Sequence, residues 1–369
     1  MDLNLQSYRI EERAVFQMRQ LFEQYGYQRF KMSRFEHYDL YIRNRDFLLS
    51  DRMITFTDAD GTLLALKPDV TISIIKDSSW APETVSKLYY QENVFRCGKS
   101  DPSFRELMQT GLECIGDVDI CNICEVISLA ARSLALVSPD YILDISHLGL
   151  ISGVLETLPV ASEHYPEILQ YIREKNISEL RRFAVRFELT PRQQEALCAL
   201  VLTYGDMEKV LAALIPLCCT QKTSAALSEL KSVYLALQTQ GLDRNVRIDF
   251  SLVNDLDYYN GLVFQGFIKG ISTQVLSGGQ YDRLMRKMGK QARAIGFAVY
   301  LDALGQLSPA PYNTDVDVLI LYNAQTPLTK LVSEMEKHTQ QGEKVLSARA
   351  MPDKIQAGKI IDLRAGGAE

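Results

Sequence analysis

The apolar pattern of this chain changes period twice, and that constrains the fold more than any single motif does. Residues 11–25 carry Ala14, Val15, Met18, Leu21, Phe22 and Tyr25 at helical spacing, and Gly26 stands where a left-handed C-terminal cap belongs. Short strand-like runs then alternate with turns as far as about residue 145. Met53–Phe56, the turn Asp58-Ala59-Asp60-Gly61 and Leu63–Leu66 spell a hairpin, and Lys87–Phe95, Leu112–Ile115 and Tyr141–Ile145 read as further strands around a helix at about 121–137. Residues 151–240 lose that character and run as successive helices, among them Pro191–Tyr204, Met207–Leu217 and Ser224–Gln240. Strand signals resume at Val246–Val253, Leu262–Ile268 and Thr273–Leu276. An α+β fold follows, with one sheet interrupted by a helical insertion at about 151–240 and completed after it.

Ser308-Pro309-Ala310-Pro311 reads as a linker. It separates a core domain, residues 1–312, from a short α/β segment, 313–369, with a strand at Val316–Leu321, a helix at Leu328–Gln340 and a weak strand at Ile360–Leu363. Hydrophobic residues make up 47% of the chain, yet no apolar run reaches the roughly 20 residues that span a bilayer, so a soluble protein is expected. The N-terminal MDLNLQSYRIEER offers neither a basic leader nor an apolar signal, which points to the cytoplasm and away from membranes. Seven cysteines without regular spacing predict free thiols; Cys121 and Cys124 form a lone CxxC that reads as a helix face, and the four histidines lack metal-ligand spacing. No metal or cofactor is expected. A net charge of −6, with Arg181 to Arg186 as the densest basic stretch and that one explained by a solvated helix face, counts against RNA as a ligand.

Four stretches gain meaning when read together. Tyr25-Gly26-Tyr27 through Phe35-Glu36 is a loose helix-to-strand junction, and the hairpin from Phe56 ends in Pro68-Asp69-Val70-Thr71, which alone reads equally as a turn with surface polar residues. Tyr89-Tyr90-Gln91-Glu92-Asn93-Val94-Phe95-Arg96 is followed by Gln109-Thr110-Gly111-Leu112-Glu113. Gln109 and Glu113 lie four apart on a strand and so face one way, where an amide and a carboxylate can meet one ammonium. Leu256-Asp257-Tyr258-Tyr259 and Gly278-Gly279-Gln280-Tyr281-Asp282 supply tyrosines, which offer an imidazole a flat wall and hydroxyl partners.

In this order, over about residues 20–305, these stretches resemble histidyl-tRNA synthetase. The resemblance implies a class II aminoacyl-tRNA synthetase-like antiparallel sheet flanked by helices and a homodimer formed through the first stretch. It also implies a histidine pocket of Asp69, Thr71, Gln109, Glu113, Tyr258, Tyr259 and Tyr281, with Arg96 as a residual phosphate ligand. Asp69 replaces the family's glutamate. Gly289 through Leu304 resembles the third class II motif, but Ala303 stands where the family places its nucleotide-stacking arginine. Asn254 replaces an arginine ahead of Leu256, and Gly98 replaces an acid in a loop one residue shorter than usual. The anticodon-binding domain is about half its expected length.

Adenylate formation depends on fixed cations that stabilise charge at phosphorus, so these departures predict a chain with no catalytic residues. The branch it resembles is the regulatory subunits of ATP phosphoribosyltransferase. That resemblance implies a hetero-oligomer with a short-form catalytic subunit, a role in the first step of histidine biosynthesis, feedback inhibition by histidine and no tRNA ligand. A divergent histidyl-tRNA synthetase and a synthetase-like histidine sensor are the alternatives.

Overall fold

A computed structural model describes residues 9–48, 52–97, 103–253, 259–307, 315–352 and 354–364. The chain divides into two compact units, residues 14–306 and residues 307–369 together with 1–13. The expected linker 308–311, and Asn254, Leu256, Asp257, Tyr258 and Gly98, lie outside the described residues.

The larger unit is organised by a nine-stranded sheet in the order β1 (Gln28–Arg29), β5 (Val85–Cys97), β6 (Phe104–Gly116), β12 (Arg293–Tyr300), β11 (Leu276–Gln280), β10 (Leu262–Ile268), β7 (Tyr141–His147), β9 (Val246–Ile248), β8 (Gly205–Asp206). From β5 to β7 every neighbour is antiparallel, while β1 and β9 join in parallel. The hairpin of β3 (Thr55–Thr57) and β4 (Leu63–Leu66) forms as expected, with Gly61 at φ 87° in its turn, and β2 (Phe35–His37) completes a small separate sheet.

Period-2 alternation sorts the large sheet into two faces. On one, α1 (Ile10–Gln24) places Phe22 against Tyr89 and Phe297, and α4 (Ile120–Val137) packs on β7, β10 and β12. α4 is long and apolar enough to cross a membrane, but its Ile123, Val126, Ile127, Leu129, Ala130 and Leu134 are buried in this core. It carries exposed Cys121 and half-buried Cys124, and among the described residues no three potential metal ligands gather. On the other face, α2 (Tyr38–Arg43), α3 (Thr71–Asp77) and α11 (Asp282–Lys287) share a second core in which Tyr41, Ile72, Ile75, Leu284 and Met285 surround Tyr90 and Tyr281.

Between β7 and β9 the chain runs through α5 (Leu148–Leu155), α6 (Tyr165–Arg173), α7 (Ile177–Arg186), α8 (Pro191–Leu202), α9 (Met207–Leu214) and α10 (Gln221–Thr239). The sequence puts the signals where these helices begin: Thr190 with Gln193 forms a capping box for α8, and Asp206 caps α9. After the sheet closes, α12 (Leu301–Leu304) ends the larger unit.

Three strand expectations shift. The run Val246–Val253 pairs only as far as Ile248. β11 begins at Leu276 and includes Gly278 and Gly279, residues of low strand propensity that stay in the ladder because both neighbouring strands pair with them. β12, which the pattern left unassigned, is a central strand. In the smaller unit β13 (Val316–Leu321) lies between β14 (Val345–Ala348) and β15 (Ala357–Asp362), all parallel, and α13 (Leu328–Thr339) sets Leu331 against Val318 and Ile320.

Candidate functional site

A pocket of about 90 Å³ opens on the α3 and α11 face of the sheet. Asp69, Thr71, Arg96, Gln109, Glu113, Tyr259 and Tyr281 all line it. Tyr258 lies outside the described residues.

Its floor is bare backbone. Gly279 of β11 pairs with Gly296 of β12, and Gly296 in turn pairs with Glu113 of β6. A Cβ on Gly296 would fall 1.7 Å from Glu113 Oε2, and one on Gly279 would fall 2.7 Å from the Tyr259 ring. Glycine is required at both positions so that a carboxyl and an aromatic face can lie flat on the sheet.

Glu113 is 2% exposed, with each oxygen occupied: Thr71 Oγ1 donates to Oε1 at 2.8 Å and Tyr281 OH to Oε2 at 2.6 Å. Burial pushes its carboxyl up to about 8, opposed by those two hydrogen bonds and assisted by the charge of Asp69. The pairing expected of Glu113 with a ligand ammonium must therefore share the carboxyl with two internal donors. Tyr281, expected to surround an imidazole, has its hydroxyl turned onto Glu113 instead.

Asp69 accepts the Ile72 backbone N–H at 3.0 Å, a bond that secures the start of α3, and Arg96 Nη2 stands 3.5 Å from its other oxygen. Burial raises the Asp69 carboxyl, and the Arg96 charge works against the rise. Arg96 also donates through Nε to the Pro68 carbonyl at 2.7 Å, and the Phe95 N–H reaches the Lys67 carbonyl at 2.9 Å. The segment Lys67–Thr71 is thereby clamped along β5. Arg96 is the one basic side chain among the described residues that line the pocket.

Gln109 is 2% exposed, and its Nε2 donor has no partner. A buried amide left with an unmade hydrogen bond costs about 1–3 kcal/mol. An acceptor on a bound molecule would recover that.

The two tyrosine signatures are held by their polar neighbours. Asp282 accepts the Ala294 N–H at 2.9 Å and the Asn260 amide at 3.1 Å, while Gln280 Oε1 accepts the Leu262 N–H at 2.6 Å. The residues next to Tyr281 and Tyr259 thus lock both rings to the sheet. Tyr90, Gln274, Ser277 and Tyr300 also line the pocket and were not singled out from sequence. Tyr90 and Tyr300 stand inside motif stretches, but what brings Tyr300 in is strand register, which sets it opposite Gln109. Ala303 lies buried on α12, beside Asp302, whose carboxylate accepts the Met108 N–H at 2.8 Å. Neither Ala303 nor Asp302 is among the described residues that line the pocket.

The sequence model of the histidyl-tRNA synthetase family matches residues 1–304. An ATP phosphoribosyltransferase regulatory subunit of Halothermothrix orenii is 30% identical over 346 residues, covering 88% of this chain and 79% of the relative. One of Oceanobacillus iheyensis is 27% identical, covering 94% of this chain and 87% of the relative. Among solved structures, an ATP phosphoribosyltransferase regulatory subunit/histidyl-tRNA synthetase from Bacillus halodurans superposes with a TM-score of 0.79 at 24% identity, covering 97% of this chain and 95% of that one. The ATP phosphoribosyl transferase (HisG:HisZ) complex from Thermotoga maritima gives a TM-score of 0.62 at 19% identity, with 79% of this chain and 97% of that chain covered. Both structural likenesses speak to the fold.

Proposed function

The chain belongs to the histidyl-tRNA synthetase family and, within it, to the ATP phosphoribosyltransferase regulatory subunits, and from that premise we propose that its pocket binds free histidine and transmits feedback inhibition to a separate catalytic subunit. The observation that carries the reading is the unpartnered Gln109 donor, buried in a pocket that also holds two carboxyls, one guanidinium and aromatic walls. A zwitterion with a flat ring matches that inventory. Asp69, Glu113 and Thr71 serve the ammonium end, the Gln109 Nε2 donor meets an acceptor of the ligand, Tyr259 and Tyr281 flank the ring, and Arg96 takes the free carboxylate in the place where a synthetase would hold phosphate.

A sensor needs only different affinities for two conformations, whereas adenylate chemistry needs cations placed for a transition state. The acidic balance supports a chain that does not take tRNA. Assembly is a homodimer through the segment around residues 25–36, enlarged by catalytic subunits, in the cytoplasm.

The test is reconstitution. The purified chain should co-elute with a short-form catalytic subunit, raise its ATP phosphoribosyltransferase activity and make it inhibitable by histidine. Failure to co-elute, or activity indifferent to this chain, would sink the regulatory reading. Inhibition that survives loss of histidine binding in a Gln109→Ala chain would move the feedback site elsewhere.

A further inference from the structure

The pocket's polar groups are unevenly matched, and the mismatch sits on Glu113. Asp69 has a guanidinium beside it and a backbone N–H donating to it. Glu113 has neither: its partners are two hydroxyls, the backbone of Gly296 lies so close on one side that even a methyl group has no room, and another edge faces the pocket. The titratable groups packed around it are Asp69 ahead of α3, Tyr90 and Arg96 from β5, Tyr281 at the start of α11, and Tyr259 and Tyr300 along the pocket wall. On the reverse of its own strand Cys114 stands near Tyr27, Lys87 and Glu125. Of these, the basic group on the pocket side is Arg96, which is drawn to Asp69. A carboxylate buried without a cation is costly, whereas a neutral acid is not.

Resting on the histidine reading above, we infer that Glu113 is the ionisation gate of this pocket: empty, the pocket holds it as the neutral acid, and a ligand is accepted by bringing a positive charge against it and expelling its proton to solvent. The hydrogen bonding suits both states. In the acid, Tyr281 OH donates to Oε2 while the proton on Oε1 points to Thr71 Oγ1; in the carboxylate, both hydroxyls donate, because a hydroxyl can do either. One proton leaves Glu113 as one cationic group enters, so the charge of the pocket is conserved. The gate therefore selects ligands by charge as well as by shape. It excludes neutral isosteres of the same outline and ties occupancy to pH. With the carboxyl pushed up to about 8 in the empty pocket, the ionised fraction, and with it ligand affinity, rises between pH 7 and pH 8.

The experiment is calorimetric titration of the full chain with L-histidine at pH 7.5 in buffers of different ionisation enthalpy, for wild type and Glu113→Gln. Wild type should release more proton per histidine than the variant, by up to one, the variant's own count reporting the ligand's imidazole. Should Glu113→Gln bind too weakly to titrate, infrared difference spectra of the wild type replace it, and histidine should abolish one protonated-carboxyl band. Equal proton counts, or no carboxyl band that histidine removes, would overturn the gate while leaving a histidine site intact. No binding of histidine by wild type at all would instead overturn the reading on which the gate rests.

Discussion

At one end of the pocket Glu113, Thr71 and Tyr281 form a hydrogen-bonded set over paired glycines; at the other, Arg96, the one basic side chain among the described residues that line the pocket, is turned onto Asp69 and Pro68. The first end is held by hydroxyls and backbone. The second offers one guanidinium, already beside a carboxylate. Recognition survives with a few fixed donors and acceptors, but stabilising charge on a phosphorus requires several cations held free to meet it. The contrast shows that the polar groups of the two ends are held independently, one by the glycine floor and the other by the Lys67–Thr71 segment along β5.

Histidine-dependent exchange of pyrophosphate into ATP tests that contrast most severely. With Asn254 and Ala303 in place of two arginines, and each such donor worth about a hundred- to a thousandfold, the chain should exchange at least about ten-thousandfold more slowly than an active synthetase. Robust exchange by clean protein would erase the distinction between the two ends.

A smaller effect separates them through pH. The Glu113 carboxyl is raised from 4.5 to about 8 in the fold, so its favourable contribution is complete below about pH 4.5 and is lost as pH rises towards 8. Glu113→Gln has no such loss. Its stability relative to wild type should climb between pH 5 and pH 8 by a few kcal/mol, since each pKa unit is worth about 1.4 kcal/mol. Urea denaturation of both proteins across that range measures it, and parallel profiles would show that Glu113 is already ionised.

Gly296→Ala probes the glycine floor directly. The added methyl would lie 1.7 Å from Glu113 Oε2, so the chain should lose about 1–3 kcal/mol of stability, and histidine affinity should fall tenfold or more. An alanine variant that binds histidine normally would show that the carboxyl can retreat, and the floor would cease to explain the site. Thr190→Ala, which breaks the capping box of α8 in the helical insertion, sets the lower bound. It should cost about 1 kcal/mol by thermal melting and leave histidine affinity unchanged. A change in affinity would couple the insertion to the pocket, a route open through Glu229 of α10, which pairs with His147 at 3.0 Å and approaches Arg293 beside Asp282.

Much of this was legible in the order of the residues. The periodicity of Ala14, Met18 and Phe22, the turn at Gly61 and the cap at Thr190 are local signals, and each element they announce is present. The motif stretches likewise named Asp69, Thr71, Gln109, Glu113, Tyr259 and Tyr281, all of which reach one pocket. β12 and the shifted β11 escaped because their glycines and continuous apolar runs lack alternation; both neighbouring strands hold them in place.

By itself, then, the sequence determined most of the helices and the hairpin, and named the side chains that gather at the pocket, because those depend on spacing and identity along the chain. Tertiary structure alone decided that Tyr281 faces Glu113 across 168 positions of sequence, that Arg96 folds onto Asp69, and that Gln109 keeps a donor unmet. Those are properties of register and burial. The same carboxyl is an ordinary acid on an open strand and is pushed up to about 8 when burial, hydroxyls and a glycine backbone close around it, and only the assembled sheet brings them together.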